Sequence, residues 1–168
     1  SIRLMPSLKS LKVRIKSIKS TQKITKAMKM VAASKLKRAK EQAEAAGPYA
    51  SRMHAIVSTL AKNAIVNPNK SSLLTGTGKD QTHLVIVATS DRGLCGAFNS
   101  SIIKFSKKYI DKLIRDGKTV KILCVGKKGY DLLKGIYGKK IIFKTDGIGR
   151  KGVKFHEASA ISEKLMEL

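Results

Sequence analysis

Negative charge is missing from the start of this chain. Residues 1–40 hold 13 Lys and Arg and no Asp or Glu, and the first acidic residue is Glu41. A helix over this region therefore has no opposite-sign i,i+4 pairs to support it. Its cations repel one another unless a partner supplies negative charge. Aromatic residues are also scarce, with four Tyr, four Phe and no Trp. That leaves little material for base-stacking platforms of the single-strand-binding kind. Only Cys95 and Cys124 are present, with no C-x-x-C pair and no Cys/His cluster, which argues against a zinc site. Each lies in or beside an apolar run and reads as a buried, reduced thiol. No run of 18 apolar residues occurs, so no segment reads as a membrane-spanning helix, and no secretory signal is evident.

What is present is a net charge of +24 on 168 residues, with an ordinary apolar fraction. That balance predicts binding to something anionic: nucleic acid, an acidic membrane surface or acidic protein. The length allows one ordinary domain and one projecting element.

The chain is organised around residues 6–64. Apolar residues recur there at steps of three and four: Leu4, Leu8, Leu11, Ile15 and Ile18. After a polar gap at Gln22 and Thr25 the stripe resumes at Met28 and Ala32. It then runs through Leu36, Ala39, Ala43, Ala46, Ala50, Met53, Val57, Leu60 and Ala64. The spacing averages near a heptad and predicts one long amphipathic helix. At ~1.5 Å per residue it would be about 85–90 Å long, far more than one small domain can cover. The stripe is narrow and Ala-rich, which suits close helix–helix contact. Gly47-Pro48 interrupts it, yet the phase continues from Ala46 to Ala50 to Met53. One helix with a bend or local distortion is expected rather than two. The stop is expected at Val66-Asn67-Pro68-Asn69, followed by a surface linker over residues 67–82.

Beyond the linker the pattern changes. His83–Ala88, Val120–Val125 and Lys140–Lys144 read as buried strands. Between and after them, Ala97–Arg115, Gly126–Ile136 and Phe155–Leu168 show helical spacing. In the first helix Phe98, Ile102, Phe105, Tyr109, Ile110 and Leu113 share one side. In the second, Tyr130 and Leu133 point inward. In the third the stripe runs through Ala158, Ile161, Leu165 and Leu168. Asp146 to Gly152 forms a Gly-rich loop. Strands alternating with helices argue for parallel βαβ units. The last helix should lead into a fourth strand, so the architecture is expected to be cut off mid-domain.

The loop Thr89–Gly96 is the place to look for chemistry, because Gly-rich strand-to-helix turns hold phosphates. Only Gly93 and Gly96 are present. Neither G-x-G-x-x-G nor G-x-x-x-x-G-K-[ST] is matched, and no acidic residue follows the second strand to hold a ribose. The two glycines read as permitting a tight turn and close packing. Ser90 and Cys95 are nucleophile types, but His54, His83 and His156 are scattered and have no context that pairs them with either. Asp91-Arg92 has two readings. One is a loop ion pair worth little. The other is an Arg held at a loop tip to meet a partner carboxylate, which its planar fork suits. A basic helix could also serve nucleic acid, giving a basic nucleic-acid-binding protein with a coiled-coil arm. However, the basic residues share the helix with the apolar stripe from its start instead of preceding it. A nucleotide-using α/β enzyme is the weakest reading.

The string LKVRIKSIKSTQKITKAMKMVAASKLKRAK, from Leu11 to Lys40, closely resembles the N-terminal helix of the γ subunits of F-type ATP synthases. The loop ATSDRGLCGAFNSS, from Ala88 to Ser101, resembles that family's second hallmark, at the expected distance downstream. The EAAGPYASRM segment and the MPSLK start are more like bacterial members, and Met5 reads as a natural start with Ser1 to Leu4 upstream of it. The resemblance implies an α/β fold: a long N-terminal coiled-coil helix plus a small Rossmann-like βαβ domain with parallel strands. The expected divisions are a shaft helix over 1–66, the linker over 67–82 and the α/β domain over 83–168. It also implies a rotor shaft with no active site and no cofactor of its own, one copy per complex. Its implied partners are the α and β subunits of the catalytic hexamer, the ε subunit (mitochondrial δ) and the c-ring. The resemblance places that complex peripherally, on the cytoplasmic face of a bacterial inner membrane or the matrix side of a mitochondrial one. By position, Lys23, Lys26, Met28 and Lys29 match the shaft segment that passes acidic lever loops of β, and Arg92 matches a loop Arg that meets β there. The family's second shaft helix is not in this sequence, so this chain alone is not expected to sustain coupling.

Overall fold

The computed structural model describes residues 7–64, 74, 76–150 and 152–168. Leu4, the expected helix stop at 66–69, and residues 67–73 and 75 of the expected linker lie outside the described residues. The chain divides into two units, Ser1–Lys70 and Ser71–Leu168.

The first unit is built on α1, Leu8–Ala64, a single 57-residue helix with Pro48 inside it. Ser7 caps it: its hydroxyl oxygen accepts from Ser10 N at 3.2 Å, satisfying one of the orphan amides of the first turn. The helix runs unbroken through Gly47-Pro48, as the continuous three-four phase predicts. Every α1 residue whose burial is described is exposed except Gly47, Ser58 and Ala61, which are half-buried. The apolar stripe is therefore bare along the helix. Its ion pairs, Lys37–Glu41 at 3.8 Å and Lys40–Glu44 at 3.7 Å, begin only where acidic residues begin.

The second unit is a three-stranded parallel sheet in the order β1-β2-β3, with β1 Thr82–Ala88, β2 Thr119–Val125 and β3 Ile141–Thr145. Helix α2, Phe98–Arg115, joins β1 to β2, and α3, Lys127–Tyr137, leads toward β3. Helix α4, Phe155–Met166, follows β3. The fold class is thus α/β with a long N-terminal helix. Ile86 pairs with Leu123, and Leu123 with Phe143. An irregularity at Ile122/Leu123 lets β3 carry one extra residue, Ile142.

Both crossovers step the same way along the sheet, and both helices pack on the same face, as crossovers of one hand require. Val87, Val120, Ile122 and Cys124 from the strands meet Ile103, Ile110 and Leu113 from α2 and Leu133 and Tyr137 from α3. On the other face Leu84 and Ile86 of β1 are exposed, while Leu123 of the central strand is fully buried. Burial of this core, on the face that α2 and α3 cover, is what chiefly holds the unit together.

Two expectations are corrected here. The inner face of α2 is Asn99, Ile103, Ser106, Ile110 and Leu113, not the aromatic stripe. Phe98, Phe105 and Tyr109 are exposed, and the Phe105 and Tyr109 rings stack on each other at 6.5 Å. The reason is local. Ser106 is small enough to bring α2 near the sheet, and buried Asn99 is needed by the preceding loop. Second, only Cys124 is buried, which pushes its thiol pKa up; Cys95 is exposed.

Candidate functional site

Two surfaces carry the sequence-nominated residues, one on each unit. On α1, Lys23, Lys26, Met28 and Lys29 are all exposed, Met28 at 48%. Counting heptads from Leu8, the seam falls on residues 8, 11, 15, 18, 22, 25, 29 and 32. Gln22, Thr25 and Lys29 therefore place three consecutive polar residues on an otherwise apolar seam. Lys23 and Lys26 sit beside it. Lys12, Lys16, Lys19 and Lys23 line one shallow groove with Ile15 and Ser20, and Lys26 continues the row by spacing. No carboxylate lies between residues 7 and 40 to neutralise that row.

The second surface lies at the carboxyl ends of the strands, where open parallel sheets bind ligands. Three loops meet there. Thr89 N donates to Val125 O at 2.8 Å, and Gly126 N donates to Thr145 O at 2.8 Å. The first loop is built around Asn99. Its Oδ1 accepts from Ser90 N at 3.0 Å, and its Nδ2 donates to Ser90 Oγ at 2.8 Å. Ser90 Oγ donates in turn to the Arg92 carbonyl. Cys95 Sγ lies 3.3 Å from Asn99 Nδ2. Ser90 is thus committed to the loop, and none of its described partners is a histidine.

The amino end of α3 is filled from within the chain. Its cap is Gly126, which has no side chain to offer the orphan amides. The β1–α2 loop satisfies them instead. Lys127 N donates to Asp91 Oδ1 at 2.9 Å, Lys128 N to Ser90 O at 3.1 Å, and Gly129 N to Thr89 Oγ1 at 2.7 Å. The other Asp91 oxygen accepts from Gly147 N at 2.7 Å. The donors that would cradle a phosphate in a nucleotide-binding member of this architecture are already used. Asp91 is held by backbone amides, so the loop ion-pair reading of Asp91-Arg92 gives way to this one.

Arg92 is exposed beside that anchored carboxylate. Leu94, two residues on, is 94% exposed and sits at φ 60. A leucine in the left-handed region is strained, and here that conformation leaves its apolar side chain out in solvent. Of the two expected turn glycines, Gly96 takes a left-handed turn conformation and Gly93 does not, and neither is closely packed. Gly96 has φ +58, whereas Gly93 does not use the left-handed region, and a Cβ at either would meet nothing within 4 Å. Close packing falls instead to Gly126 and Gly129, whose Cβ atoms would lie 2.1 Å from Thr89 O and 2.8 Å from Thr89 Oγ1.

The sequence reading singled out Asp91 but not its amide partners, which are remote in sequence, and it missed Asn99, whose partners are loop residues 4 to 9 positions away. The available signal was Gly126: a glycine at a helix start needs its amides capped from elsewhere. Among the described residues no group of three His, Cys, Asp or Glu could hold a metal ion, and no helix is long and apolar enough to cross a membrane.

A family model described as ATP synthase matches residues 7–168. The ATP synthase gamma chain of Sinorhizobium fredii is 52% identical over 164 residues, which cover 98% of this chain and 56% of that protein. The gamma chain of Sinorhizobium medicae is 53% identical over the same span. This chain therefore spans about half the length of the curated relatives it matches. Among solved structures, the central stalk and c-ring of the Tetrahymena thermophila mitochondrial ATP synthase contains a similar chain. It has a TM-score of 0.59 and 31% identity, over 84% of this chain and 58% of that one.

Proposed function

Because the chain belongs to the ATP synthase γ-chain family, we propose that it works as a central-stalk rotor subunit. In this reading it transmits rotation between a c-ring and a catalytic α/β hexamer and contributes no catalytic residue itself. The observation that carries the reading is α1: a 57-residue helix with exposed side chains and an uncompensated lysine row. Such a helix is suited to an acidic collar. Lys23, Lys26, Met28 and Lys29 would face acidic loops of β, and Arg92 would meet a β carboxylate at the other unit.

The energetics suit rotation. A shaft must break and re-form its contacts as it turns past each β subunit. Exposed ion pairs of about 0–1 kcal/mol each release readily, while buried pairs would hold one angle. The polar stretch of the seam at Gln22, Thr25 and Lys29 fits the same requirement. The ε (mitochondrial δ) subunit and the c-ring are the further proposed partners, with one copy of this chain per complex. The site of action is then a peripheral membrane complex, on the cytoplasmic face of a bacterial inner membrane. The relatives give no support to the nucleic-acid alternative.

Co-expression with cognate α and β subunits tests the reading. The chain should elute with the hexamer at moderate salt and dissociate as salt screens the charges. Lys26→Glu and Arg92→Glu should each weaken retention. Elution apart from the hexamer, with the rest of the γ-chain length supplied, would refute the proposal.

A further inference from the structure

We propose that Asp91 is an internal anion that occupies the phosphate-type slot of this fold, and that it is the positioning residue for Arg92. The second half of the proposal rests on the rotor reading above.

The amino end of α3 offers amides at the carboxyl end of a parallel strand, the standard geometry for an oxyanion. The occupant here is a side chain of the chain itself. One Asp91 oxygen takes Lys127 N at 2.9 Å and the other takes Gly147 N at 2.7 Å. The Lys127 amide opens α3 directly after β2, the Gly147 amide lies in the loop after β3, and Asp91 belongs to the loop after β1. One carboxylate therefore ties the β1–α2 loop to the start of α3 and to the loop after β3. Charged acceptors on backbone amides make the stronger class of hydrogen bond, and the positive end of the α3 dipole adds to it.

The consequence falls on the next residue. The Arg92 carbonyl is held by Ser90 Oγ, and Asn99 Nδ2 lies 3.4 Å from it. The Arg92 backbone is thus pinned on one side by the Asp91 carboxylate and on the other by its own carbonyl. Its side chain is left exposed at a fixed point.

A carboxylate acting as a captive anion can be replaced by a free one. Asp91→Ala should leave a vacant slot that formate enters. The first readout is the thermal midpoint of the full chain in sodium formate against sodium chloride of equal ionic strength. Asp91→Ala should melt below wild type and recover toward it in formate. Wild type and Arg92→Ala should show no formate-specific rise. If Asp91→Ala folds only in formate, that also supports the slot; no formate-specific effect overturns it. Asp91→Asn keeps the shape but pairs an NH2 against an amide donor, so stability equal to wild type would overturn the proposal even where Asp91→Ala does not fold.

The second readout is retention on the α/β hexamer. Asp91→Ala and Arg92→Ala should both lower it several-fold, and formate should restore only Asp91→Ala. Full retention by Asp91→Ala without formate would remove the positioning role. Full retention by Arg92→Ala would instead sink the Arg92 contact in the rotor reading and leave the melting result standing.

Discussion

The phenol of Tyr137 donates to Asp111 Oδ1 at 2.6 Å, joining α3 to α2 at the edge of the core. Burial, then this hydrogen bond, pushes the phenol's pKa up from 10.0 to about 12. An acid whose pKa is raised on folding gives stability that is complete below its unfolded pKa and is lost as pH rises through the folded one. Urea midpoints should therefore fall between about pH 10 and pH 12. Tyr137→Phe should lose about 1 kcal/mol at neutral pH and should lack that alkaline decline. A decline of equal size in Tyr137→Phe would assign it to other groups.

The acid limb should depend on Asp80. Lys118 Nζ lies 2.7 Å from Asp80 Oδ2, and His83 Nε2 lies 2.9 Å from Oδ1. The Lys118 hydrogen bond, and then its charge, hold the Asp80 carboxyl below its ordinary 3.8. A depressed carboxyl gives stability that is present above its unfolded pKa and is lost as pH falls through the folded one. Acid titration of unfolding should show a loss starting near pH 3.8 and continuing below it. In Asp80→Asn that part of the curve should flatten. Asp80 is exposed, so the change will be small.

Glycine substitutions should separate packing from permissiveness. Gly126 has φ +100, and a Cβ there would strike Thr89 O at 2.1 Å. Gly126→Ala should cost about 3 kcal/mol or more, through clash and backbone strain together. Gly93→Ala meets open space and should stay within about 0.5 kcal/mol of wild type in chemical denaturation. Equal costs at the two positions would contradict this description of the loops.

Leu94 should behave oppositely in stability and in binding. Leu94→Gly relieves a left-handed leucine, worth about 1–2 kcal/mol, and gives back about 0.5–1 kcal/mol in chain entropy. The melting temperature should hold or rise slightly. Retention on the α/β hexamer should fall, because the 94%-exposed side chain is the part on offer. A variant that binds normally would show that the strain serves something else.

Much of the architecture is legible in the residues. The β-branched runs place all three strands within one residue of where they form, as at Thr119–Val125 against an expected start at Val120. Unbroken phase across Ala46, Ala50 and Met53 carries α1 through Pro48. The strand-end site is legible only in part. Arg92 can be nominated from its loop, but what holds that loop cannot. Lys127 and Gly147 lie 36 and 56 positions from Asp91, and no local pattern joins them. The inner face of α2 misleads for a related reason. Asn99 is buried because of hydrogen bonds to Ser90, which hydrophobic periodicity does not register. On α1 the lysine row is visible as sequence, because a bare helix has its side chains ordered by spacing alone.

Pro48 gives α1 a mechanical character that its charge and packing do not reveal. Proline has no amide hydrogen, so the Glu44 carbonyl lacks the rung that Pro48 would supply. Gly47 beside it adds the least restrained backbone of any residue. A helix missing one rung is softer in twist and bending at that turn than along its intact stretches. Torque applied across α1 will strain that turn first, while the lysine row from Lys12 to Lys26 stays nearly rigid. In the proposed rotor, the helix would be a shaft of uneven stiffness, with its compliant point well away from the surface proposed to grip.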